Sequence, residues 1–353
     1  MSEWRECKLG DVLVLGNGKV RPKKEGDIPI FGGNGILGYG NEYNYNEETI
    51  IIGRVGAYCG AVYYENRPIW ISDNALSAKP NENGITKFFY YFLKHLELNQ
   101  FAEGSSHPLV THTLLNSIDI MIPNSLPEQK AIAEVLSSLD DKIDLLHRQN
   151  KTLEAMAEAL FRQWFVEEAD IATVRLGDII DIFDSKRIPL SSTERDKMKS
   201  GTLYPYYGAA TIMDYINDYI FDGEYLLFGE DGTVQTDEGF PVLQLAVGKF
   251  WVNNHTHILK AKKPYSNFLL YSILKKTSVS HIVTGAVQPK INQENLKSLK
   301  IDVPSEDKIE ITVHETNNFW EKIRFNDKQI ELLEKLRDAL LPKLMSGEVR
   351  VEI

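Results

Sequence analysis

Leu9-Gly10-Asp11 returns as Leu176-Gly177-Asp178, and Ile28-Pro29-Ile30-Phe31-Gly32 returns as Tyr204-Pro205-Tyr206-Tyr207-Gly208. From there the copies advance at a shift of 176 residues, through Tyr39 and Tyr215, Asn41 and Asn217, Gly53 and Gly229, and Gly56 and Gly232. After a small insertion the shift is 181, pairing Trp70 with Trp251, Gly104 with Gly285, Pro108 with Pro289 and Pro123 with Pro304. Later it is 180, where Lys142-Ile143 and Leu153-Glu154 match Lys322-Ile323 and Leu333-Glu334. A period covering half of the chain is a tandem duplication rather than a solenoid of short units. Two similar units on one chain suit a ligand with two separated sites.

Both copies have the same internal order. Glu48-Thr49-Ile50-Ile51-Ile52-Gly53 and Glu224-Tyr225-Leu226-Leu227-Phe228-Gly229 are short apolar runs closed by glycine, and Gly60-Ala61-Val62-Tyr63-Tyr64 is β-branched and aromatic; such runs predict buried strands. A helical patch follows, over 86–98 and 265–276, then a glycine turn and a closing strand over 118–122 and 299–303. Each copy ends in a long helix. Pro127-Glu128-Gln129 places proline and acid at a helix start, and Ser305-Glu306-Asp307 offers an N-cap serine with two acids in the first turn. The expected fold is mixed α/β (α+β): a first globular domain over 1–127, a spacer helix over 128–168, a second globular domain over 169–305, a second spacer helix over 306–347 and a tail over 348–353.

In the first long helix, Ile132, Leu136, Leu139, Ile143, Leu146, Asn150, Leu153, Ala157, Leu160 and Trp164 alternate steps of four and three, a heptad seam. The second copy repeats it more weakly, with Thr312 and Thr316 at its start and Arg337 within it. Duplicated helices related by a two-fold axis pack antiparallel. The expected register joins Asn150 to Asn326, the polar break in each seam, so that facing residue numbers sum to 476 and Ile132 falls near Leu344 and Trp164 near Thr312. One buried asparagine pair can set register; the alternative leaves both asparagines on solvated edges. At 1.5 Å per residue such helices are on the order of 55 Å long, against about 34 Å for ten base pairs of DNA. They would serve as a ruler.

Composition sets outer limits. The 353 residues have room for two ordinary cores. Cys7 and Cys59 are the only cysteines, which excludes a disulfide framework or a cysteine zinc site and fits a reducing cytoplasm. No apolar run approaches the roughly 20 residues that span a bilayer; the expectation is a cytoplasmic protein with no membrane partner. A net charge of −11 disfavours strong nonspecific nucleic-acid binding by this chain alone. DNA function would call for a basic partner.

Leu9-Gly10-Asp11, the Ile51-Ile52-Gly53-Arg54-Val55-Gly56 turn, Trp70-Ile71-Ser72-Asp73-Asn74-Ala75, Gly104-Ser105-Ser106-His107-Pro108, Pro127-Glu128-Gln129-Lys130-Ala131-Ile132-Ala133 and Leu340-Leu341-Pro342-Lys343-Leu344-Met345-Ser346-Gly347-Glu348-Val349 together resemble the DNA specificity subunit of type I restriction-modification enzymes. The resemblance covers essentially the whole chain. It implies two target recognition domains, each reading half of a split double-stranded DNA site, separated by two long helices packed as an antiparallel coiled coil with internal pseudo-two-fold symmetry. It also implies two methyltransferase (modification) subunits as partners, with restriction/translocase subunits joining through the complex. No cofactor is expected on this chain; S-adenosylmethionine and ATP belong to the partner subunits. The second copy departs from the first where Gly53-Arg54-Val55-Gly56 becomes Gly229-Glu230-Asp231-Gly232 and Ser72-Asp73-Asn74 becomes Asn253-Asn254-His255. The two units should therefore read different half-sites.

DNA-contacting candidates must be polar and on turns, since arginine, asparagine and glutamine read base edges while lysine, serine and backbone N–H groups position phosphates. They are Gly104, Ser105, Ser106 and His107 in one glycine turn and Gln288 and Lys290 beside the other, with Arg54 and the Lys19, Arg21, Lys23, Lys24 cluster in the first unit and Lys186, Arg187 and Lys249 in the second. An ordinary turn or a solvated charged face is the competing reading. Tyr39, Tyr43, Tyr206 and Tyr215 fit stacking on a ligand or, by the stronger expectation, the core. Outer-face groups Gln129, Gln163, Phe165, Leu341 and Met345 are expected to meet protein partners.

The catalytic inventory is thin. The chain has no Pro-Pro pair, and hence no Asp/Asn-Pro-Pro-aromatic methyltransferase motif. His255-Thr256-His257 lacks an acidic or cysteine partner at ligand spacing, so no metal site is expected. His107 and His112 near Ser105 and Ser106 do not make a triad, and Asp222, Glu224, Glu230 and Asp231 are a weak candidate for a nuclease cluster. A noncatalytic recognition subunit leads; a stand-alone DNA methyltransferase or nuclease, and a protein-binding coiled-coil scaffold, are the alternatives.

Overall fold

The computed structural model describes residues 3–81, 84–104, 108–163, 171–285 and 288–352. It divides into two compact units, Met1–Leu146 with Lys328–Ile353, and His147–Asp327. The unit boundaries cross both long helices, Leu126–Arg162 and Ile309–Met345. Each unit thus contains one globule and half of each long helix.

In the first unit a four-stranded antiparallel sheet runs in the order Leu13–Asn17, Ala75–Pro80, Thr49–Gly53 and Val62–Glu65. A second sheet pairs Gly35–Gly40 with Ile28–Gly32, which in turn runs parallel to Trp70–Ile71. A two-stranded sheet joins Trp4–Lys8 to Asp119–Pro123. The second unit repeats these pairings: Trp70 opposite Ile30 becomes Trp251 opposite Tyr206, and Trp4 opposite Pro123 becomes Ile171 opposite Pro304. There, however, one ten-residue strand, Leu243–Val252, belongs to both sheets and merges them into six strands. Its counterpart in the first unit is split between Val62–Glu65 and Trp70–Ile71, with Pro68 in the gap. Proline has no N–H to give a central ladder, which explains the break.

The apolar runs are buried on both faces because strand side chains alternate. Ile50 and Ile52 enter one core of the first unit while Ile51 enters another. In the second unit Leu226 and Phe228 face one core, and Tyr225 and Leu227 the other. Helix Thr86–His95 covers the first core with Phe88, Phe89, Phe92 and Leu93, and Asn267–Leu274 does the same in the second with Leu269, Leu270, Ile273 and Leu274. Both helices are shorter than the patches that predicted them. A 3₁₀ turn, Leu98–Phe101, follows the first, after Glu97 adopts a left-handed conformation.

The long-helix halves pack antiparallel within each unit. Ile132, Leu136 and Leu344 share the first unit's main core, and Ile143, Leu146 and Ile330 form a cluster with Leu333 against it. Arg337, the break in the second seam, donates to Asp140 at 2.8 Å. Ser305 caps differently from expectation: its carbonyl accepts from Lys308 and Ile309 N–H, while its buried hydroxyl has no partner among the described residues. Gln129 and Met345, expected on the outer face, are 3% and 2% exposed. Gln129 bonds Pro123 O at 3.0 Å, and Leu341 packs against the same core as Met345. Gln163 is exposed, and Phe165 and Trp164 lie outside the described residues. The exposed apolar side chains of the second long helix are instead Ile311, Phe325, Leu332 and Leu336.

In the second unit Asn326 Nδ2 lies 2.8 Å from Asn150 Oδ1, and Asn150 Nδ2 donates to Asp327 Oδ1 at 2.7 Å. Asn150 therefore both accepts and donates across the helix pair. Replacing Asn150 by alanine strands the fully buried Asn326 amide. We expect Asn150→Ala to lower the unfolding free energy by about 1–3 kcal/mol, read by urea denaturation; an unchanged midpoint would show that the pair contributes nothing.

Candidate nucleic-acid interface

Two candidate segments far apart in sequence are adjacent in each unit. In the first, Gly56 N–H donates to Pro108 O at 3.2 Å, Val110 N–H to Arg54 O at 3.0 Å and Arg54 N–H to Asn74 O at 3.0 Å. In the second, Gly232 N–H donates to Pro289 O at 3.1 Å, Ile291 N–H to Glu230 O at 2.9 Å and Glu230 N–H to His255 O at 2.9 Å. Each of these bonds is the repeat-shifted copy of the other. One backbone frame therefore presents Arg54-Val55 in one unit and Glu230-Asp231 in the other.

The glycine turns have a steric origin. Gly104 and Gly285 have φ of +92° and +86°, a region costly for residues with a Cβ. A Cβ on Gly285 would lie 2.4 Å from Gln288 O. Thr284 and Lys290 close the second turn through paired backbone bonds of 2.8 and 2.7 Å. Gln288 and Lys290 are exposed beside it, whereas Ser105, Ser106 and His107 lie outside the described residues.

The cationic candidates separate into two groups. Lys19, Arg21, Lys23 and Lys24 are exposed, and none makes an ion pair with another described residue. Lys19 is anchored through its backbone, its N–H donating to Ile71 O and its carbonyl accepting from Trp70 Nε1. Lys249 lies 4.5 Å from the Tyr219 ring centroid and 5.9 Å from that of Tyr204, and exposed Lys186 sits over Phe183. Arg187 is different. Its Nη1 bonds Glu230 and, at 2.9 Å, Thr256 O; Nε bonds Asp184 O at 3.0 Å; its side chain is 15% exposed. Lys290 Nζ also pairs with Glu230, at 3.3 Å.

Around Arg187 the fold gathers Asp184, Glu230 and His257, whose ligand atoms lie within 4.8 Å of one another. Sequence spacing offered no acidic partner for His257; tertiary structure supplies two. The donor set is already engaged. His257 Nδ1 meets Asp184 Oδ2 at 2.6 Å and its Nε2 meets Ile291 O at 2.8 Å, while Asp184 also accepts from Gln293 Nε2 and Ile258 N–H. Burial pushes the Asp184 carboxyl upward, but the His257 bond and charge, with Ile258 N–H and Arg187, carry it below the usual aspartate range. Burial likewise raises Glu230, and Arg187, His257 and Lys290 reverse it. The two carboxylates, set against Arg187 and Lys290 and bonded to His257, tie the Glu230 turn to the strand beside it, and their engaged oxygens leave little free capacity for a dication. His255 is exposed and pairs with Asp231 through Nδ1. Glu224 is engaged elsewhere, accepting from Trp320 Nε1 and Arg324.

An exposed apolar edge was not foreseen. Ile36, Leu37 and Tyr39 on strand Gly35–Gly40 are 43%, 38% and 53% exposed, and their repeat counterparts Ile212, Met213 and Tyr215 on Ile212–Ile216 are 40%, 55% and 50% exposed. Tyr43 is exposed too, while Tyr206 is buried; the core expectation holds for Tyr206 alone among the four tyrosines. The missed signal was that Leu37 and Tyr39 flank Gly38, and Met213 and Tyr215 flank Asp214, so no core residue lies between them. Clustered exposed apolar side chains mark contact surfaces.

Arg187→Ala would leave Glu230 and Asp184 buried with fewer countercharges. Its expected effect is on stability, a loss of about 3 kcal/mol in denaturant unfolding. Unfolding unchanged by this substitution would mean that Arg187 is free to serve a ligand.

A family model for the type I restriction modification DNA specificity domain matches residues 1–155 and again 168–335. The type I restriction enzyme MjaIX specificity subunit of Methanocaldococcus jannaschii is 25% identical, with 99% of this chain and 94% of that protein covered. A putative type I restriction enzyme specificity subunit of Haemophilus influenzae, S.HindORF215P, is 33% identical over 41% of this chain and 36% of that protein. The crystal structure of a type I restriction-modification system S subunit from M. genitalium has the same fold, with a TM-score of 0.72 at 18% identity over 98% of this chain and 96% of that one. With its family model matched twice, over most of both halves, the chain belongs to the type I restriction-modification DNA specificity family.

Proposed function

We propose that this chain is the noncatalytic DNA specificity subunit of a type I restriction-modification complex. Each unit reads one half of a split, asymmetric double-stranded DNA site. The long helices, shared by both units, set the half-site spacing and dock two modification subunits, through which restriction/translocase subunits join. Methyl transfer and cleavage lie on those partners, which hold S-adenosylmethionine and ATP.

The observation that carries this reading is the repeated frame with divergent side chains. Framework bonds recur at the repeat shift, whereas the displayed turn changes from Arg54-Val55 to Glu230-Asp231. Base readout depends on side chains at base edges, so one scaffold with two displays suits an asymmetric target. In the first unit Arg54, Gly104 and the exposed Lys19, Arg21 and Lys23 are the proposed contacts, with Ser105, Ser106 and His107 in the turn beside them. In the second unit Gln288, Lys186, Lys249 and Lys290 take that role; Arg187 acts by holding Glu230. The chain's net charge of −11 makes binding dependent on the assembled complex.

Mapping N6-methyladenine in host DNA with and without this chain should reveal a two-part motif that vanishes on deletion. Gln288→Ala should relax one half of that motif and leave the other intact; a motif degraded equally in both halves would refute separate reading. Sedimentation of the co-expressed complex should give two modification subunits per specificity chain, and a 1:1 particle would remove the paired docking sites.

A further inference from the structure

Where the second unit's helix Asn267–Leu274 meets that unit's halves of the long helices, a cavity of about 480 Å³ opens. It is open to solvent on one side, and its volume falls within the range of small-molecule sites. Phe268 and Trp320 form an aromatic wall, their rings 5.0 Å apart and 12° from parallel. Trp320 is held in place by its Nε1 donating to Glu224 Oε2 at 3.3 Å. At the solvent edge Lys276 pairs with Glu158 at 2.7 Å, and Lys275 lies 5.8 Å over the Tyr271 ring.

The duplication supplies a counterpart for every part of this cavity. Tyr271 and Lys275 correspond to Tyr90 and Lys94, and Lys94 likewise lies over its tyrosine, at 5.3 Å. Ile323 corresponds to Ile143, and both are buried. Ser272, Ala157 and Trp320 stand for Tyr91, Arg337 and Asp140, and Phe268, Leu245 and Lys276 stand for Lys87, Tyr64 and His95. In the first unit Tyr91 is 3% exposed and its phenol donates to Asp140 Oδ2 at 2.7 Å, while Arg337 Nη1 donates to Asp140 Oδ1 at 2.8 Å. Burial and the Asp140 bond push the Tyr91 hydroxyl well above the usual tyrosine range, so it stays a neutral donor. The first unit therefore fills this position with its own phenol ring and guanidinium. In the second unit serine and alanine replace the phenol and the guanidinium, and the Trp320 indole stands where Asp140 accepted both bonds.

We propose that the cavity is a binding pocket for a neutral aromatic ring of phenol size, the group that the first unit provides internally as Tyr91. The lining favours such a ring on two grounds. Trp320, Phe268 and Tyr271 offer faces and edges for stacked or edge-on contact. Two acidic side chains, Glu154 and Glu158, balance two basic ones, Lys275 and Lys276, so a charged ring gains nothing from the site's net charge. The ring can arrive as a free aromatic molecule or as an aromatic side chain of another polypeptide. This inference does not depend on DNA reading.

Saturation-transfer NMR of the full chain with p-cresol, the tyrosine side chain as a free molecule, tests it. A fragment of this size should bind with Kd on the order of 1 mM. Ser272→Tyr, which restores the first unit's plug, should weaken binding at least tenfold, and Ala157→Arg should act in the same direction; thermal melting establishes that each variant is folded. N-acetyl-tyrosinamide separates the two sources. Binding of both probes supports a ring carried by a polypeptide, and binding of p-cresol alone supports a free aromatic molecule. No transfer to either probe from the wild-type chain, or equal affinity in folded Ser272→Tyr and Ala157→Arg, would overturn the proposal.

Discussion

Everything in this molecule rests on the burial of the heptad seams within each unit. Ile132 and Leu136 from the first long helix and Leu344 and Met345 from the second enter the same core as strand residues Ile50 and Ile52. Fully burying such side chains stabilises by roughly 1.5–3 kcal/mol each, so the last turns of the second long helix are structural parts of the first globule. Polar contacts reinforce the junction. Glu128, 3% exposed, accepts from Trp4 Nε1 at 3.3 Å and from Arg350 at 3.0 Å. A buried carboxylate is tolerated only with such partners.

The second constraint is the bonded frame shared by the glycine turns. Backbone bonds between Gly56 and Pro108 and between Gly232 and Pro289 hold the displayed turn against the closing hairpin. Because backbone groups make these bonds, the side chains on top are free to differ. That freedom explains how Arg54 and Glu230 occupy equivalent places without altering the scaffold. It also shows why a basic residue in sequence is a poor indicator of a ligand contact: Arg187 is consumed by Glu230 and Asp184, whereas Lys19 and its neighbours remain in solvent.

Divergence between copies acts in the interior as well as on the surface. Tyr91, Asp140 and Arg337 close one position of the first unit through two charge-assisted bonds, and Ser272, Trp320 and Ala157 leave its counterpart open with an aromatic wall. A duplicated chain carries its own internal reference, since each unit shows what the other has lost or gained.

The amino-acid sequence by itself determined the duplication, the strand runs, the long helices and their register, because these follow from periodicity and local chemistry. Asn150 and Asn326 were legible as partners since Asn150 is the single polar break in the first seam and Asn326 interrupts the apolar middle of the second. Only the tertiary structure decided which charged and aromatic groups face solvent. His257 acquires Asp184 and Glu230 from 73 and 27 residues away, Gln129 and Met345 turn inward to the core, and Tyr215 turns outward while Tyr206 does not. Periodicity specifies which residues share a face of an element. Whether that face meets water, a core or a countercharge depends on what the rest of the chain packs against it.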